Sequence, residues 1–265
     1  MPDASFAIPL ILQSALVPFG VALVLLFALR RPALAIAAGF VAAYFSAFHA
    51  QWAPVPKTAM DWLPYMAVFG AAVAPARLLS RFAVSLVALA LVVWPALASL
   101  GMAKALMLAA TGAVLITAAW TLLATTGEDR PTPAPLLAIV AGGAGLALML
   151  DSSAALGQSS LALASALAAC ALFNLPRVRV AFPAAATGTG VLLLGVLLAN
   201  AYLYAGFSPL YLALLGGALA ADPLVASIDR LRGAGSWITA AVLTAVPVLA
   251  TVGLAVKTMQ ESGGY

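Results

Sequence analysis

The chain has 265 residues, of which 65% are apolar and only 8% carry a charge, and its mean hydropathy is +1.13. A soluble domain is about half apolar and about a quarter charged, so 12 Lys+Arg and 8 Asp+Glu are too few to solvate a globular surface of this size. The net charge is only +4, and the basic residues stand singly or in pairs at the ends of apolar segments rather than in a phosphate-binding patch. The composition excludes a soluble enzyme, a nucleic-acid-binding domain and a disordered chain, and it predicts an all-α, polytopic membrane protein.

The first apolar segment, residues 7–29, predicts a membrane-spanning helix that stays in the protein. It is preceded by Asp3 and followed by Arg30 and Arg31, whereas a cleavable signal peptide has its positive charges before the apolar stretch. Its 23 residues are enough to cross about 30 Å of hydrocarbon at about 1.5 Å per residue. We therefore expect the N-terminus on the outer side of the membrane.

Apolar segments separated by charged residues, proline or glycine predict about ten spans, with eight as the lower limit. All of them are apolar on every face, which excludes the alternating pattern of a membrane β-barrel. Residues 136–175 are divided by a polar stretch, 151–160, which predicts two helices joined by a tight outer turn. The candidate spans are residues 7–29, 33–50, 62–76, 82–100, 105–126, 136–150, 159–175, 184–204, 209–228 and 236–256.

The positive-inside rule supports ten spans with both termini outside a cytoplasmic membrane. In that orientation nine arginines lie on the inner side and three lysines on the outer side. The number of spans, and with it this division of charges, depends on the segment 62–76, which has only 15 residues and could fail to cross the membrane. The inner residues are Arg30, Arg31, Arg77, Arg81, Arg130, Arg177, Arg179, Arg230 and Arg232, and the outer ones are Lys57, Lys104 and Lys257.

The chain is predicted to be a single integral membrane domain that can be divided into residues 1–130 and 131–265. Each half contains five candidate helices, so the second half would enter the membrane from the opposite side, as in the inverted repeats of many transporters. No motif identifies a family. The ten-helix, five-plus-five outline alone is similar to that of the drug/metabolite-type transporters, although this chain is shorter and its termini are predicted outside.

Asp222 is the strongest candidate for a functional residue, because acidic side chains inside hydrocarbon are costly and usually have a role. One interpretation places it inside the inner edge of the ninth span, next to Pro223, as a ligand for a proton or a cation. The other interpretation ends the span near Ala221, so that Asp222 caps a short interfacial helix that begins at Pro223. The second interpretation is favoured.

Asp151, His49 and Asn200 are predicted at the outer face and form a second candidate ligand-binding site. They would line a polar mouth for a small solute, together with the polar stretch 151–160. The alternative, which is favoured, is that helix ends at the interface are polar in any membrane protein. Asn200 is the hardest of the three to explain in this way, because a buried amide needs a hydrogen-bond partner. A group on another helix would supply this partner without any ligand.

Neither an enzymatic activity nor a cofactor or metal site is predicted. The chain has one histidine and one cysteine, Cys170, and it lacks metalloprotease, nucleophile-elbow and phosphate-loop motifs. A transporter of a small solute or a lipid is slightly favoured as the function. The alternative is a non-catalytic structural or accessory subunit of a larger membrane complex. The expected partners are the lipid bilayer and either other membrane subunits or further copies of the chain.

Overall fold

The computed structural model describes residues 4–73, 77–124, 133–174, 178–227 and 236–261, and helix is the only regular secondary structure within them. A π-helical turn, Leu12–Leu16, and two 3₁₀ turns, Met60–Trp62 and Trp94–Ala96, interrupt the α-helices of the first half. These α-helices are α1 (Ala4–Ile11), α2 (Val17–Leu29), α3 (Pro32–Phe48), α4 (Leu63–Ala72), α5 (Leu78–Val93), α6 (Leu97–Leu100) and α7 (Met102–Ala124).

The second half of the chain contributes six helices to the described part of the structure. They are α8 (Pro133–Asp151), α9 (Ala154–Phe173), α10 (Ala184–Tyr204), α11 (Pro209–Ala218), α12 (Ala221–Ser227) and α13 (Ser236–Glu261). The predicted dividing point between the halves, 130/131, lies outside the described residues, and the inverted repeat stays a prediction.

The prediction of a helical, multi-spanning membrane protein is confirmed, but the count of about ten spans is not. Within the described residues seven helical segments are long and apolar enough to cross a bilayer. They are Ile8–Leu29, Leu78–Leu100, Met102–Ala124, Pro133–Asp151, Ala154–Phe173, Ala184–Tyr204 and Trp237–Glu261.

The three remaining candidates form helices that are shorter than the apolar runs suggested. α3 has 17 residues, and α4 and α11 have 10 each. Ten residues rise about 15 Å, or about half of the hydrocarbon thickness. α4 ends where Val73 turns to an extended conformation, and residues 74–76 lie outside the described part. α11 ends at Ala218, because the chain turns through Leu219 before α12 begins.

The turn between α8 and α9 is tight, as predicted, but α9 begins earlier than expected. Ser153 has an extended backbone, and its hydroxyl accepts a hydrogen bond from the amide of Leu156 at 3.4 Å, which makes it the N-cap of the helix. Gln158, Ser159 and Ser160 therefore lie inside α9 and not in a polar loop. A helix tolerates such serines because the hydroxyl can donate to a carbonyl one turn back, as Ser159 does to Ala155.

Helices α8, α9 and α10 form the centre of the bundle, and α2, α7 and α13 lie at its edge. The apolar window of α10 is 72% buried, compared with 28% for α13 and 22% for the first span. α9 packs against α2, α3, α8 and α10, while α10 also contacts α4, α5 and α7. The outer faces of the edge helices are apolar and exposed, as expected for surfaces that meet lipid tails.

Glycines allow the closest helix contacts in this centre. A Cβ on Gly157 would lie 2.8 Å from the carbonyl oxygen of Gly145, so α8 and α9 meet backbone to backbone. A Cβ on Gly188 would overlap the indole ring of Trp120, whose side chain is fully buried between α7 and α10. Small residues thus provide the close packing that replaces the hydrophobic driving force inside a membrane.

Candidate functional site

Asp222 and Asp151, which the sequence assigned to two different candidate sites, lie at opposite ends of the bundle. His49 is exposed at the C-terminal end of α3, and Asp151 is the half-buried last residue of α8. Asp222 packs at the other end of the bundle, because Val225 of the same helix clusters with Leu136, near the start of α8. Ligand binding by these residues stays a prediction.

Asn200 is buried in α10 with 1% of its surface exposed, and its hydrogen bond differs from the one expected. Its amide nitrogen donates to the carbonyl of Val196 at 3.0 Å, one turn earlier on the same helix. The partner is therefore a carbonyl of α10 itself, and a group on another helix, which would also have sufficed, does not supply this bond. An amide can satisfy part of its hydrogen-bonding capacity locally, which lowers the cost of burying it.

Asp222 is 2% exposed and lies in the first turn of α12, after the break that follows α11. α12 begins at Ala221, one residue before the expected cap, so Asp222 is inside the helix rather than in front of it. Its position still suits the favoured interpretation, because a carboxylate near a helix N-terminus is stabilised by the helix dipole. The hydroxyl of Thr244 on α13 donates to the carbonyl of Ala240 on its own helix at 2.8 Å and lies 3.4 Å from the carbonyl oxygen of Ala218, where α11 ends.

A different polar cluster connects the first span to α3 and α9. The side-chain nitrogen of Gln158 donates to the side-chain oxygen of Gln13 at 3.0 Å, and the nitrogen of Gln13 donates to the carbonyl of Ser46 at 3.0 Å. We call Gln13, Gln158 and the Ser46 carbonyl the amide cluster. Ser46 lies in the last turn of α3, where carbonyls lack a donor from their own helix, so Gln13 completes the end of α3.

The π-helical turn brings Gln13 to this position. The amide of Val17 donates to the carbonyl of Leu12, five residues earlier, so the turn Leu12–Leu16 contains one residue more than an α-helical turn. Pro18 is the second residue after the turn and has no N–H to give to the carbonyl of Ser14, and its ring would crowd that carbonyl in a regular α-helix. The wider turn relieves this crowding, and π turns of this kind are frequent at functional positions.

Ser165 of α9 supplies the hydrogen bond that Pro18 cannot give. Its hydroxyl lies 3.0 Å from the carbonyl oxygen of Ser14 and 2.9 Å from that of Leu161 on its own helix. Inside hydrocarbon, a carbonyl that accepts no hydrogen bond costs several kcal/mol, about the free energy of moving an unpaired amide from water into an apolar solvent. The first span is therefore attached to α9 at two points, through Gln13 and through Ser14.

A small cleft opens beside the amide cluster, between the π turn, α3 and α9. Its volume, about that of one water molecule, is much smaller than a solute-binding cavity. It is lined by Gln13, Phe40, Ala43, Tyr44, Ala47, Phe48, Gln158, Ser159 and Ala162. None of the four predicted site residues is among them.

The loop that follows α3 is held by Asp61, which is 6% exposed. Its Oδ2 accepts hydrogen bonds from the amides of Lys57 at 2.9 Å and Thr58 at 2.8 Å. Burial by itself would raise the pKa of this carboxyl, but the amide hydrogen bonds from Thr58 and Lys57 outweigh it and hold the pKa below 3.8. Trp52 of the same loop packs edge-on against Phe45 at a centroid distance of 4.9 Å.

A second interhelical contact joins the start of α5, the end of α7 and the start of α10. The guanidinium of Arg81 lies 5.8 Å from the ring centroid of Trp120, and its Nη1 is 3.4 Å from the hydroxyl of Thr121. The indole nitrogen of Trp120 donates to the carbonyl of Ala184 at 3.0 Å. These contacts hold Arg81, one of the arginines predicted on the inner side, against the bundle.

Sequence reasoning missed Gln13, Ser14, Ser46 and Ser165 as parts of a site. The signal was present in Gln13, which is the only amide within the first apolar segment and stands five residues before Pro18. Its partner Gln158 is 145 residues away in the chain, so the pairing itself could not be found from local pattern.

Comparison with known proteins gives no relative for this chain: no family model, curated protein or solved structure matches it.

Proposed function

We propose that the protein is a non-catalytic structural subunit of a larger membrane assembly. What carries this proposal is the close packing of the central helices among the described residues. The central helices pack through small residues, Gly145 against Gly157 and Gly188 against Trp120, and the described cleft is the size of a water molecule. Such packing gives a rigid scaffold, because van der Waals contact between closely approaching helices is the main source of stability inside a bilayer.

The edge helices offer the surfaces through which such a subunit would meet its neighbours. Phe27 on α2, Leu115 on α7 and Val246 on α13 are 65%, 64% and 62% exposed. These three faces point away from the centre in different helices, and each can contact either lipid tails or the helices of another protein. The proposal predicts that at least one of them contacts protein.

Photo-crosslinking in the native membrane tests this prediction. A photoreactive amino acid is placed at position 27, 115 or 246, with the fully buried Leu167 as the control position. The proposal predicts a discrete protein adduct from at least one exposed position and none from position 167. Adducts with lipid alone at all three exposed positions would contradict it.

A carrier for a small solute or a lipid is the second candidate, and one observation favours it. α11 and α12 form a broken helix with the buried carboxyl of Asp222 just after the break, and broken helices carry the ion and substrate sites of many transporters. On this proposal Asp222→Asn abolishes uptake into proteoliposomes while the protein keeps its melting temperature. A variant that loses stability and transport together would support the helix-capping role instead.

We also propose a cytoplasmic membrane with both termini outside. This orientation requires α3, α4 and α11 to complete their crossings with the residues that flank them, and it is supported by the nine arginines and three lysines on opposite sides of the ten predicted spans. The only cysteine, Cys170, is buried, so new cysteines can be labelled against a silent background. A cysteine at Gln260 should react with an impermeant thiol reagent in intact cells. Reaction only after the membrane is opened would reverse the orientation.

A further inference from the structure

The cleft beside the amide cluster combines a polar lining with a very small volume. Four of its nine lining residues have polar side chains, namely Gln13, Tyr44, Gln158 and Ser159, and the rest are alanine or phenylalanine. The apolar members limit its size, and the polar members decide what can occupy it. The occupant must be small, uncharged and able both to donate and to accept hydrogen bonds.

The amide cluster leaves hydrogen-bonding capacity on the side of the cleft. A glutamine amide has two N–H donors and an oxygen that accepts up to two hydrogen bonds. Gln13 uses one N–H toward Ser46 and its oxygen toward Gln158, while Gln158 uses one N–H. Among the described residues no group donates to the side-chain oxygen of Gln158. A part-buried acceptor without a donor is costly, which favours an occupant that can supply one.

Two further groups on the lining can take part. The hydroxyl of Ser159 donates to the carbonyl of Ala155 at 3.0 Å and keeps its oxygen lone pairs for a second donor. The hydroxyl of Tyr44 donates to the carbonyl of Met60 at 3.1 Å and likewise keeps an acceptor. The lining thus offers acceptors and spare amide donors, and a buried water typically uses two to four such partners, about three on average.

We propose that this cleft binds a single water molecule that completes the amide cluster. The water donates to the oxygen of Gln158 and accepts from a free amide hydrogen of the glutamine pair. It joins the first span, α3 and α9 at one point, since Gln13, Tyr44 and Gln158 come from these three elements. The proposal concerns a binding site and is independent of whether the protein is a subunit or a carrier.

Solid-state NMR on the protein in lipid vesicles can test the proposal, because the chain contains only four glutamines. With ¹⁵N in the glutamine side chains, the spectrum contains four amide groups: those of Gln13 and Gln158 and those of the exposed Gln51 and Gln260. Gln13→Met and Gln158→Met assign the two signals of the cluster.

The water site predicts two properties of the Gln158 signal. Its amide protons exchange with D₂O at least tenfold more slowly than those of Gln51 and Gln260, and they show dipolar transfer from an immobilised water. Transfer from lipid acyl protons with none from water would overturn the proposal, since the cleft would then be dry. Exchange as fast as that of Gln51 would also overturn it, because the site would be open to bulk water.

A cleft-filling variant provides the matched control. Ala162 is buried and lines the cleft, so Ala162→Val adds two methyl groups where the water would sit. We expect the water transfer to disappear while the contact between the two glutamine amides persists. If this variant fails to fold, Gln158→Met, which removes the acceptor but keeps a side chain of similar length, should abolish water transfer at Gln13. Persistence of the transfer in a folded variant of either kind would contradict the site.

Discussion

The hydroxyl of Ser165 on α9 donates a hydrogen bond to the carbonyl oxygen of Ser14 in the π turn at 3.0 Å, although the two residues are 151 positions apart in the chain. The carbonyl needs this donor because Pro18, four residues later, has no N–H. The contact shows how a defect in one helix is repaired by another, and how the repair attaches the first span to the centre of the bundle.

The repair predicts that Ser165 and Pro18 are energetically coupled. Ser165→Ala should lower the free energy of unfolding in micelles by about 0.5–2 kcal/mol, the range of interhelical hydrogen bonds in membranes. In the Pro18→Ala background the same change should cost less, because the alanine introduced there has an N–H that can reach the Ser14 carbonyl. A double-mutant cycle measures the difference. Strictly additive effects would show that Ser165 and Pro18 act independently.

Gly188 is predicted to be intolerant of any side chain. Gly188→Ala places a methyl group on the ring of Trp120, which is enclosed on all sides, and overpacking of this kind costs about 1–3 kcal/mol or more. The matched control is Gly216→Ala, since nothing lies within 4 Å of a Cβ at Gly216. Thermal denaturation in one detergent should show a clear loss for Gly188→Ala and little change for Gly216→Ala. Equal behaviour of the two variants would refute the packing.

Alanine substitutions of two serines at the α8–α9 hairpin are predicted to have different effects on stability. The hydroxyl of Ser160 donates to the carbonyl of Ala141 on α8 at 2.8 Å, and Ser160→Ala should cost about 0.5–1.5 kcal/mol. The hydroxyl of Ser152 is buried without a partner among the described residues, so Ser152→Ala should leave stability unchanged or raise it. The melting temperatures of the two variants check this. A larger loss for Ser152→Ala would mean that its hydroxyl has a partner.

Asp61 is predicted to make the stability of the loop between α3 and α4 depend on pH. Its pKa lies below 3.8 in the folded protein, so the hydrogen bonds from Lys57 and Thr58 contribute fully above pH 3.8 and are lost as the pH falls through the lower folded value. Asp61→Asn should cost about 1–2 kcal/mol at neutral pH, in the range of a lost cap.

Melting temperatures in an uncharged detergent measure this pH dependence. The difference between the wild type and Asp61→Asn should shrink as the pH falls from 3.8 toward the lower pKa of the folded state, because the unfolded wild-type chain binds a proton at this carboxyl before the folded chain does. A difference that stays constant down to about pH 3 would contradict the assigned role of the charge.

The sequence was sufficient for the helices and insufficient for their lengths and their polar contacts. Hydropathy and charge place helices in all ten apolar segments, because each apolar run must satisfy its backbone internally. The sequence left open whether 62–76 crosses and favoured an end of the ninth span near Ala221, but it did not predict that α4 and α11 have only 10 residues each, since an apolar run continues past the residue at which the helix ends. For α11 the sequence signal was Pro223, but it marked a break that lies several residues earlier, after Ala218.

The candidate site was the least predictable part. A lone glutamine in an apolar run, such as Gln13, is tolerated in many spans, and only the π turn and Gln158 give it a role. Asn200 is a similar case, because the sequence showed that it needs a hydrogen-bond partner but not that its own helix supplies one. Pairing between distant polar residues depends on helix rotation and depth, and neither is encoded by a local pattern.

Native mass spectrometry of the protein, extracted gently from its own membrane, tests the proposed structural role most directly. The proposal predicts that further membrane subunits co-purify in fixed stoichiometry. It also predicts that they are lost when the bundle is disrupted by Gly188→Ala but kept in Gly216→Ala. A bare monomer or homodimer, above all one that retains a bound metabolite, would contradict the structural role and favour the carrier.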